Sequence, residues 1–165
     1  MSIDRKKAHP RALELAPDEF FWSNHDELGP FGSDEGDTAL HDYRAFRKRQ
    51  KSSTQYHCLV WAIESVSETR IAHYTRHILD EAKVRAQISD PDIDDQQYIY
   101  TVDVTAIATG FGQLVDEGKI DPECKDFIAL AIERQILWTR LQPQWQHGAA
   151  YLQNLHRLSQ ILRDA

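Results

Sequence analysis

Three side chains in the middle of the chain have the types and the spacing of a metal site. His73, His77 and Glu81 follow one another at intervals of four residues, so on a helix all three would lie on one face. Imidazole and carboxylate groups are ligands for zinc. The zincin motif H-E-x-x-H is absent, because Tyr74 stands where its general-base glutamate would be. Two interpretations follow: an exposed helical face with a His–Glu pair, which we favour, and the metal site of an enzyme.

An acidic segment near the N-terminus is the second candidate site. Residues 19–37 join an aromatic triplet to a stretch in which glycines separate carboxylates. Because carboxylates are not buried without partners, these must face water, a cation or a basic partner. The predicted partner-binding residues are Trp22, Asp26, Glu27, Phe31, Asp34, Glu35 and Asp37. The two aromatic residues would anchor the segment or enter the interface, and the carboxylates would orient a basic surface.

The acidic segment also fits two roles that involve no protein partner. Its Asp and Ser side chains could serve folding alone by capping the helix that follows, for which Asp37 is the predicted N-cap. Alternatively, its oxygens could bind a divalent cation. The spacing of the carboxylates does not fix the geometry of a cation site, so both roles stay open beside partner binding.

Composition and charge limit the classes of function. The chain has 165 residues and a formal net charge of −7, which argues for one domain and against a nucleic-acid partner. Cys58 and Cys124 form no C-x-x-C pair and indicate reduced thiols. No nucleophile elbow or P-loop is present. Because there is neither a secretory signal nor a long apolar stretch, we expect a cytoplasmic protein with no membrane partner.

The hydrophobic pattern predicts the elements that position these residues. Helices are expected over residues 9–16, 37–50, 56–63, 70–88, 96–117, 122–141 and 145–163. Residues 98–104 have strand-like composition, but the length of the pattern favours a helix. Residues 56–63 are apolar nearly all round, as in a central element. Gly118 and the pair Asp121-Pro122 mark a helix end and the next helix start.

These elements predict a mostly α fold. Few glycine-rich turns and no alternating hairpin pattern are present, so we expect a single-domain helical bundle of about six helices over residues 1–165. An acidic, glycine-containing loop would lie near its N-terminus, and residues 1–8 are expected to be flexible.

Two blocks of the sequence resemble a bacterial family. The first contains Ala8-His9-Pro10, Phe20-Phe21-Trp22, Asp26-Glu27 and residues 30–37, and the second covers residues 111–122. In these blocks the chain resembles small bacterial proteins of the YfeS-like group. The resemblance implies membership of that group and carries over no catalytic residue. Proteins of similar size and acidity also serve as immunity partners of bacterial toxins. This analogy rests only on size and charge.

The sequence therefore predicts a non-enzymatic protein that binds a protein partner, with a cognate toxin of basic surface as the favoured case. One alternative is a metal-dependent enzyme that uses the His73, His77 and Glu81 face. Another is a structural helical protein that associates with itself as a homo-oligomer. No cofactor is expected, apart from a divalent metal at the His73, His77 and Glu81 face or at the acidic segment.

Overall fold

The computed structural model describes residues 2–66, 69–90, 92 and 95–165, and within these ranges every regular element is helical. The α-helices are α1 (Pro10–Leu15), α2 (Glu19–Trp22), α3 (Asp34–Arg49), α4 (Gln55–Val66), α5 (Glu81–Ser89), α6 (Asp95–Glu117), α7 (Pro122–Arg140) and α8 (Gly148–Asp164). Three short 3-10 turns lie at Arg5–Lys7, Ile71–His73 and Arg76–Leu79. The mostly α fold class is confirmed. No helix in the described part of the chain has both the length and the apolar character needed to cross a membrane.

Helix α6 forms the centre of the bundle. Residues 102–115 are all buried, and α6 packs against α1, α3, α4, α5 and α7. Residues 98–104, which have strand-like composition, are nevertheless helical. Neighbouring helices cover α6 on every side over residues 102–115, and β-branched residues pack well there. The predicted helix over 96–117 is confirmed. The central position expected for residues 56–63 is wrong, since α4 leaves Val60 and Trp61 partly exposed.

Two glycines allow the neighbours of α6 to approach closely. A Cβ atom at Gly110 would lie 2.2 Å from Cδ1 of Ile128 in α7. One at Gly112 would lie 2.9 Å from Cδ1 of Leu40 in α3. Both positions therefore let side chains of the adjacent helix fill the space of a missing side chain.

The prediction of one helix over residues 70–88 is wrong. Two 3-10 turns replace its first half, and Asp80 then caps α5 by accepting a hydrogen bond from the Lys83 amide at 3.2 Å. Tyr74, which lies between the turns, is buried and donates its hydroxyl hydrogen bond to Asp103 at 2.6 Å. This contact with α6 fixes Tyr74 in a position that the local periodicity does not reveal.

A buried polar network ties the centre of the fold together. The carboxylate of Asp103 accepts hydrogen bonds from Arg134 Nε at 2.9 Å, from Arg134 Nη2 at 2.8 Å and from Gln135 Nε2 at 3.0 Å. Gln135 Oε1 in turn accepts a hydrogen bond from the Tyr151 hydroxyl at 2.8 Å. The network joins α6, α7 and α8 with Tyr74, and it gives a buried charge the partners that it requires.

Both cysteines and part of the N-terminal segment are buried. Cys58 and Cys124 are free thiols inside the bundle. At the N-terminus, Ile3 is buried and Arg5–Lys7 forms a turn, while the expected flexibility of residues 1–8 stays a prediction.

Candidate functional site

The acidic segment folds into a loop that is held by its own polar groups. Ser23 Oγ accepts a hydrogen bond from the Asp26 amide at 2.9 Å, and Asp26 Oδ1 accepts one from the Leu28 amide at 2.9 Å. Asn154 of α8 donates to the Leu28 carbonyl at 3.0 Å, which joins the loop to the other end of the chain. These bonds give the loop a defined shape, and they use the Asp26 carboxylate for folding.

The glycines of this loop are required because its backbone segments approach closely. A Cβ atom at Gly32 would lie 2.1 Å from the Asp26 carbonyl oxygen and 2.7 Å from the Asp26 nitrogen. Because these neighbours are backbone atoms, no side-chain rotation would make room. The acidic loop therefore has one compact path from the aromatic triplet to α3.

Helix α3 begins at the acidic residues, and its N-cap is Ser33. Ser33 Oγ accepts a hydrogen bond from the Gly36 amide at 3.1 Å. The prediction that Asp37 is the N-cap is wrong, because the N-cap lies four residues earlier and α3 begins at Asp34. Asp34, Glu35 and Asp37 thus occupy the first turn of α3, where negative side chains interact favourably with the helix dipole.

Trp22 and Phe31 anchor the segment in the core. Their exposed fractions are 7% and 1%. The Trp22 indole donates to the Ala16 carbonyl at 2.7 Å, and Phe31 packs edge-on against Phe21, which does the same against Phe111. Of the two roles expected for these residues, anchoring is the one that their burial supports.

A pocket of about 400 Å³ opens where the loop meets the ends of the later helices. We call it the acidic aromatic pocket and define it by its lining residues, which are Glu27, Leu28, Ser33, Asp34, Glu35, Tyr100, Trp138, Trp145 and Tyr151. Its acidic side comes from the loop and α3. Its aromatic side comes from α6, α7, the connection after α7, and α8.

The aromatic residues of the pocket form a continuous series of ring contacts. The ring centroids of Tyr100 and Trp138 are 5.8 Å apart, those of Trp138 and Trp145 are 5.9 Å apart, and those of Trp145 and Tyr151 are 5.7 Å apart. The last two pairs are edge-to-face, at 67° and 70°. These distances are typical of aromatic pairs that stabilise one another, so the rings form a preformed wall.

The acidic and aromatic sides meet at Tyr100. Burial raises the pKa of the Tyr100 phenol, and the negative charges of Glu35, Glu27 and Asp34 raise it further, against a hydrogen bond with Ser33 that lowers it. Three carboxylates therefore act on one hydroxyl group. The phenol stays neutral near pH 7.

Two deeper groups complete the pocket. Burial raises the pKa of the Tyr151 phenol, whose hydroxyl is held by Gln135 in the buried polar network. Trp138 is 9% exposed, and its indole N–H is buried with no hydrogen-bond partner among the residues that the structure describes. Unpartnered buried donors are rare and need an explanation.

Only part of the predicted partner-binding set lies in this pocket. Glu27, Asp34 and Glu35 line it. Asp26 and Asp37 do not, because one is used inside the loop and the other is exposed beside it. The sequence analysis missed Tyr100, Trp138, Trp145 and Tyr151 as site residues. The available signal was the concentration of aromatic residues around the end of α7.

The predicted metal-ligand face is not formed. His73 and His77 lie in separate 3-10 turns and line another pocket of about 470 Å³ beside Lys83 and Arg134. Glu81 begins α5 and pairs with Arg85 at 2.8 Å. Within the described ranges, no group of three His, Cys, Asp or Glu residues is arranged to hold a metal ion. The single helix on which the metal-site hypothesis depended is absent.

Comparison of the chain with protein-family models, curated proteins and solved structures finds no match. Membership of the YfeS-like group therefore stays a prediction.

Proposed function

We propose that this protein binds a basic protein partner without catalysing a reaction, and that the acidic aromatic pocket is the centre of its binding surface. The observation that carries the proposal is the set of unpaired carboxylates at a pocket walled by aromatic rings. Glu27, Asp34 and Glu35 take part in no ion pair between described residues.

Several carboxylates elsewhere in the protein have cationic partners. Asp18 pairs with Arg157 at 3.0 Å and Asp116 with Arg44 at 2.8 Å, while Asp103 pairs with Arg134. The basic residues of the chain are thus used partly on its own acids, whereas the pocket retains its negative charge. A surface of this kind attracts a cationic partner and repels an anionic one.

The aromatic wall supports a protein-binding role for the pocket over the alternative that it is only a solvated acidic surface. Tryptophan and tyrosine are enriched at the energetic centres of interfaces, where carboxylates at the rim orient the partner. The pocket joins these two features in one place, and its rings are held by packing before any partner arrives. A solvated acidic surface would not require Trp145 and Tyr151 beside it.

Neutralisation of a cognate toxin is the specific form of this proposal. The net charge of −7 and the small size of the protein support it, as does the acidic pocket, because a basic toxin would be steered towards it. Co-expression with the product of an adjacent gene tests this form. A basic, growth-inhibiting product that this protein protects against is the expected result, and an adjacent metabolic gene set would speak for another role.

The competing proposals are tested separately. Elemental analysis after purification without chelator tests the metal-dependent enzyme, and unfolding with added zinc, manganese or magnesium would reveal a stabilising ion. Light scattering during size exclusion tests self-association. In the part of the chain that the structure describes, Val66 is the one large hydrophobic side chain that is exposed, which gives self-association little apolar surface.

Charge reversal tests the proposed site directly. The double variant Asp34→Lys/Glu35→Lys should lose capture of a basic partner in a pull-down. Asp37→Lys/Asp42→Lys is the matched control, because it changes the charge of the same helix equally at exposed positions outside the pocket. If both variants lost capture of the partner equally, binding would depend on the general negative charge of the protein and not on this pocket. If both variants still captured the partner, the pocket would not be part of the interface.

A further inference from the structure

We infer that the acidic aromatic pocket receives the guanidinium group of an arginine side chain that the basic partner presents. The inference rests on the proposed function, since it names the chemical group that occupies the same pocket. Its evidence is the combination of ring geometry, carboxylate placement and one buried donor.

The aromatic wall is suited to binding an organic cation. A positive group within about 6 Å of a ring centroid is attracted by the face of the ring, most strongly by tryptophan. Trp138 and Trp145 meet edge to face in the wall, with Tyr100 and Tyr151 at either end of the series. The pocket volume of about 400 Å³ lies within the usual range of small-ligand sites, which is about 300–1,000 Å³.

The charges of the pocket select a cation over a neutral ligand. Glu27, Asp34 and Glu35 bring three negative charges to its acidic side. The nearby N-terminus of α3 opposes them with the equivalent of only about half a positive charge. The balance is negative, and the same three carboxylates add to the larger effect of burial in raising the pKa of Tyr100.

A guanidinium matches both sides of the pocket at once. Its plane stacks on an indole ring, while its N–H groups donate pairs of hydrogen bonds to a carboxylate. A quaternary ammonium group would use the rings and leave the carboxylates without donors. A lysine ammonium is compact and strongly hydrated, so it would lose more on entering the aromatic side.

The buried donor of Trp138 favours an arginine within a peptide over a free cation. Its indole N–H lacks a partner among the described residues. A guanidinium has no hydrogen-bond acceptor, whereas the peptide that carries it provides carbonyl oxygens. Because Trp138 lines the pocket, the inferred complex has a peptide carbonyl as the acceptor for this buried N–H, while the carboxylates accept from the side chain.

The pocket walls are held in place from behind. Tyr151 is fixed by Gln135, which is itself bonded to Asp103. The loop side is fixed by the bond from Asn154 to Leu28. A site held in this way loses little conformational entropy when it binds.

Peptide binding monitored by NMR tests the inference. The full-length protein, labelled with ¹⁵N, is titrated with a blocked glycyl-arginyl-glycine tripeptide while its indole N–H signals are followed. We expect the signals of Trp138 and Trp145 to shift, and the signal of Trp61, outside the pocket, to stay unchanged. The same peptide with citrulline has the same shape without the charge, and it should bind at least about tenfold more weakly.

Further arms of the titration decide the source and type of the cation. Peptides with lysine or trimethyl-lysine, and methylguanidinium alone, should all bind more weakly than the arginine peptide. Tighter binding of trimethyl-lysine would overturn the guanidinium assignment, and equal binding of methylguanidinium would overturn the peptide part. Equal binding of the citrulline peptide would overturn the inference as a whole.

Two variants keep the test specific to the pocket. Trp145→Phe and Glu35→Gln should each weaken the arginine peptide several-fold, whereas Asp37→Asn should not. Circular dichroism verifies that each variant is folded. If the peptide does not bind but charge reversal still abolishes capture of a basic partner, the inference fails and the proposed function stands. If the peptide binds and no basic partner is captured, the proposed function fails instead.

Discussion

Replacement of Asp103 by asparagine probes the buried polar network that holds the pocket in place. The carboxylate has no exposed surface and accepts hydrogen bonds from Tyr74, Arg134 and Gln135. Asparagine keeps the shape but removes the charge, and it turns one acceptor into a donor that faces other donors. The expected effect is therefore larger than that of an ordinary hydrogen-bond deletion.

The magnitude follows from burial. Removal of one partner of a buried ion pair costs about 3–5 kcal/mol, and Arg134 is only 8% exposed. For a chain of this length, that loss corresponds to a fall in Tm of about 9–14 °C, taking an unfolding entropy of about 2.1 cal/mol/K per residue. Urea unfolding followed by circular dichroism measures the loss directly.

A matched surface pair provides the control. Glu81→Gln breaks the pair with Arg85, in which both side chains are more than half exposed, and it should cost only about 0.3–0.5 kcal/mol. If Asp103→Asn costs no more than this control, the reasoning about burial is refuted. The double variant Asp103→Leu/Arg134→Met should recover much of the loss, because it removes both charges together. A double variant as unstable as Asp103→Asn would mean that packing, or the donors of Tyr74 and Gln135 left without an acceptor, and not charge, sets the cost.

Two further predictions concern single positions. Gly32→Ala should lower the free energy of unfolding by about 2 kcal/mol or more, because the new Cβ would meet the backbone of Asp26. Gly148→Ala, whose Cβ would make only ordinary contacts from 3.5 Å, should be close to neutral in the same urea experiment; equal effects of the two would contradict the close backbone approach at Gly32. Burial raises the pKa of the Cys124 thiol from 9.0 to about 12, so its thiolate fraction at pH 8 is about a thousandfold lower than in the unfolded chain. A thiol reagent such as DTNB should therefore modify native Cys124 far more slowly than the denatured protein, and comparable rates would show that the site opens readily.

Local patterns in the sequence determined most of the helical architecture. Asp121 precedes α7 and Pro122 begins it, as expected, and Gly118 follows the end of α6 with a φ of 78°, a left-handed conformation that glycine adopts readily. Such signals act within a few residues, so no knowledge of the fold is needed to interpret them. The same holds for the acidic half of the pocket, since Glu27, Asp34 and Glu35 are close in sequence.

Long-range packing decided the features that the sequence left open. The helix expected over residues 70–88 is broken where Tyr74 reaches Asp103, although the periodic pattern is intact. The local preference for a helix is worth only tenths of a kcal/mol per residue, which burial of a tyrosine can outweigh. The same interruption separates His73, His77 and Glu81, the face on which the metal-site hypothesis depended.

The pocket also combines features set by local sequence with features set by long-range packing. The sequence alone determined an acidic, glycine-containing segment that leads into α3, because glycine spacing and charge are local properties, although it placed the N-cap at Asp37 instead of Ser33. Tertiary structure alone decided that Tyr100, Trp138 and Tyr151 stand opposite that segment, because these residues come from three different helices. Their convergence depends on how α6, α7 and α8 pack, and side-chain periodicity specifies only which face of each helix is buried.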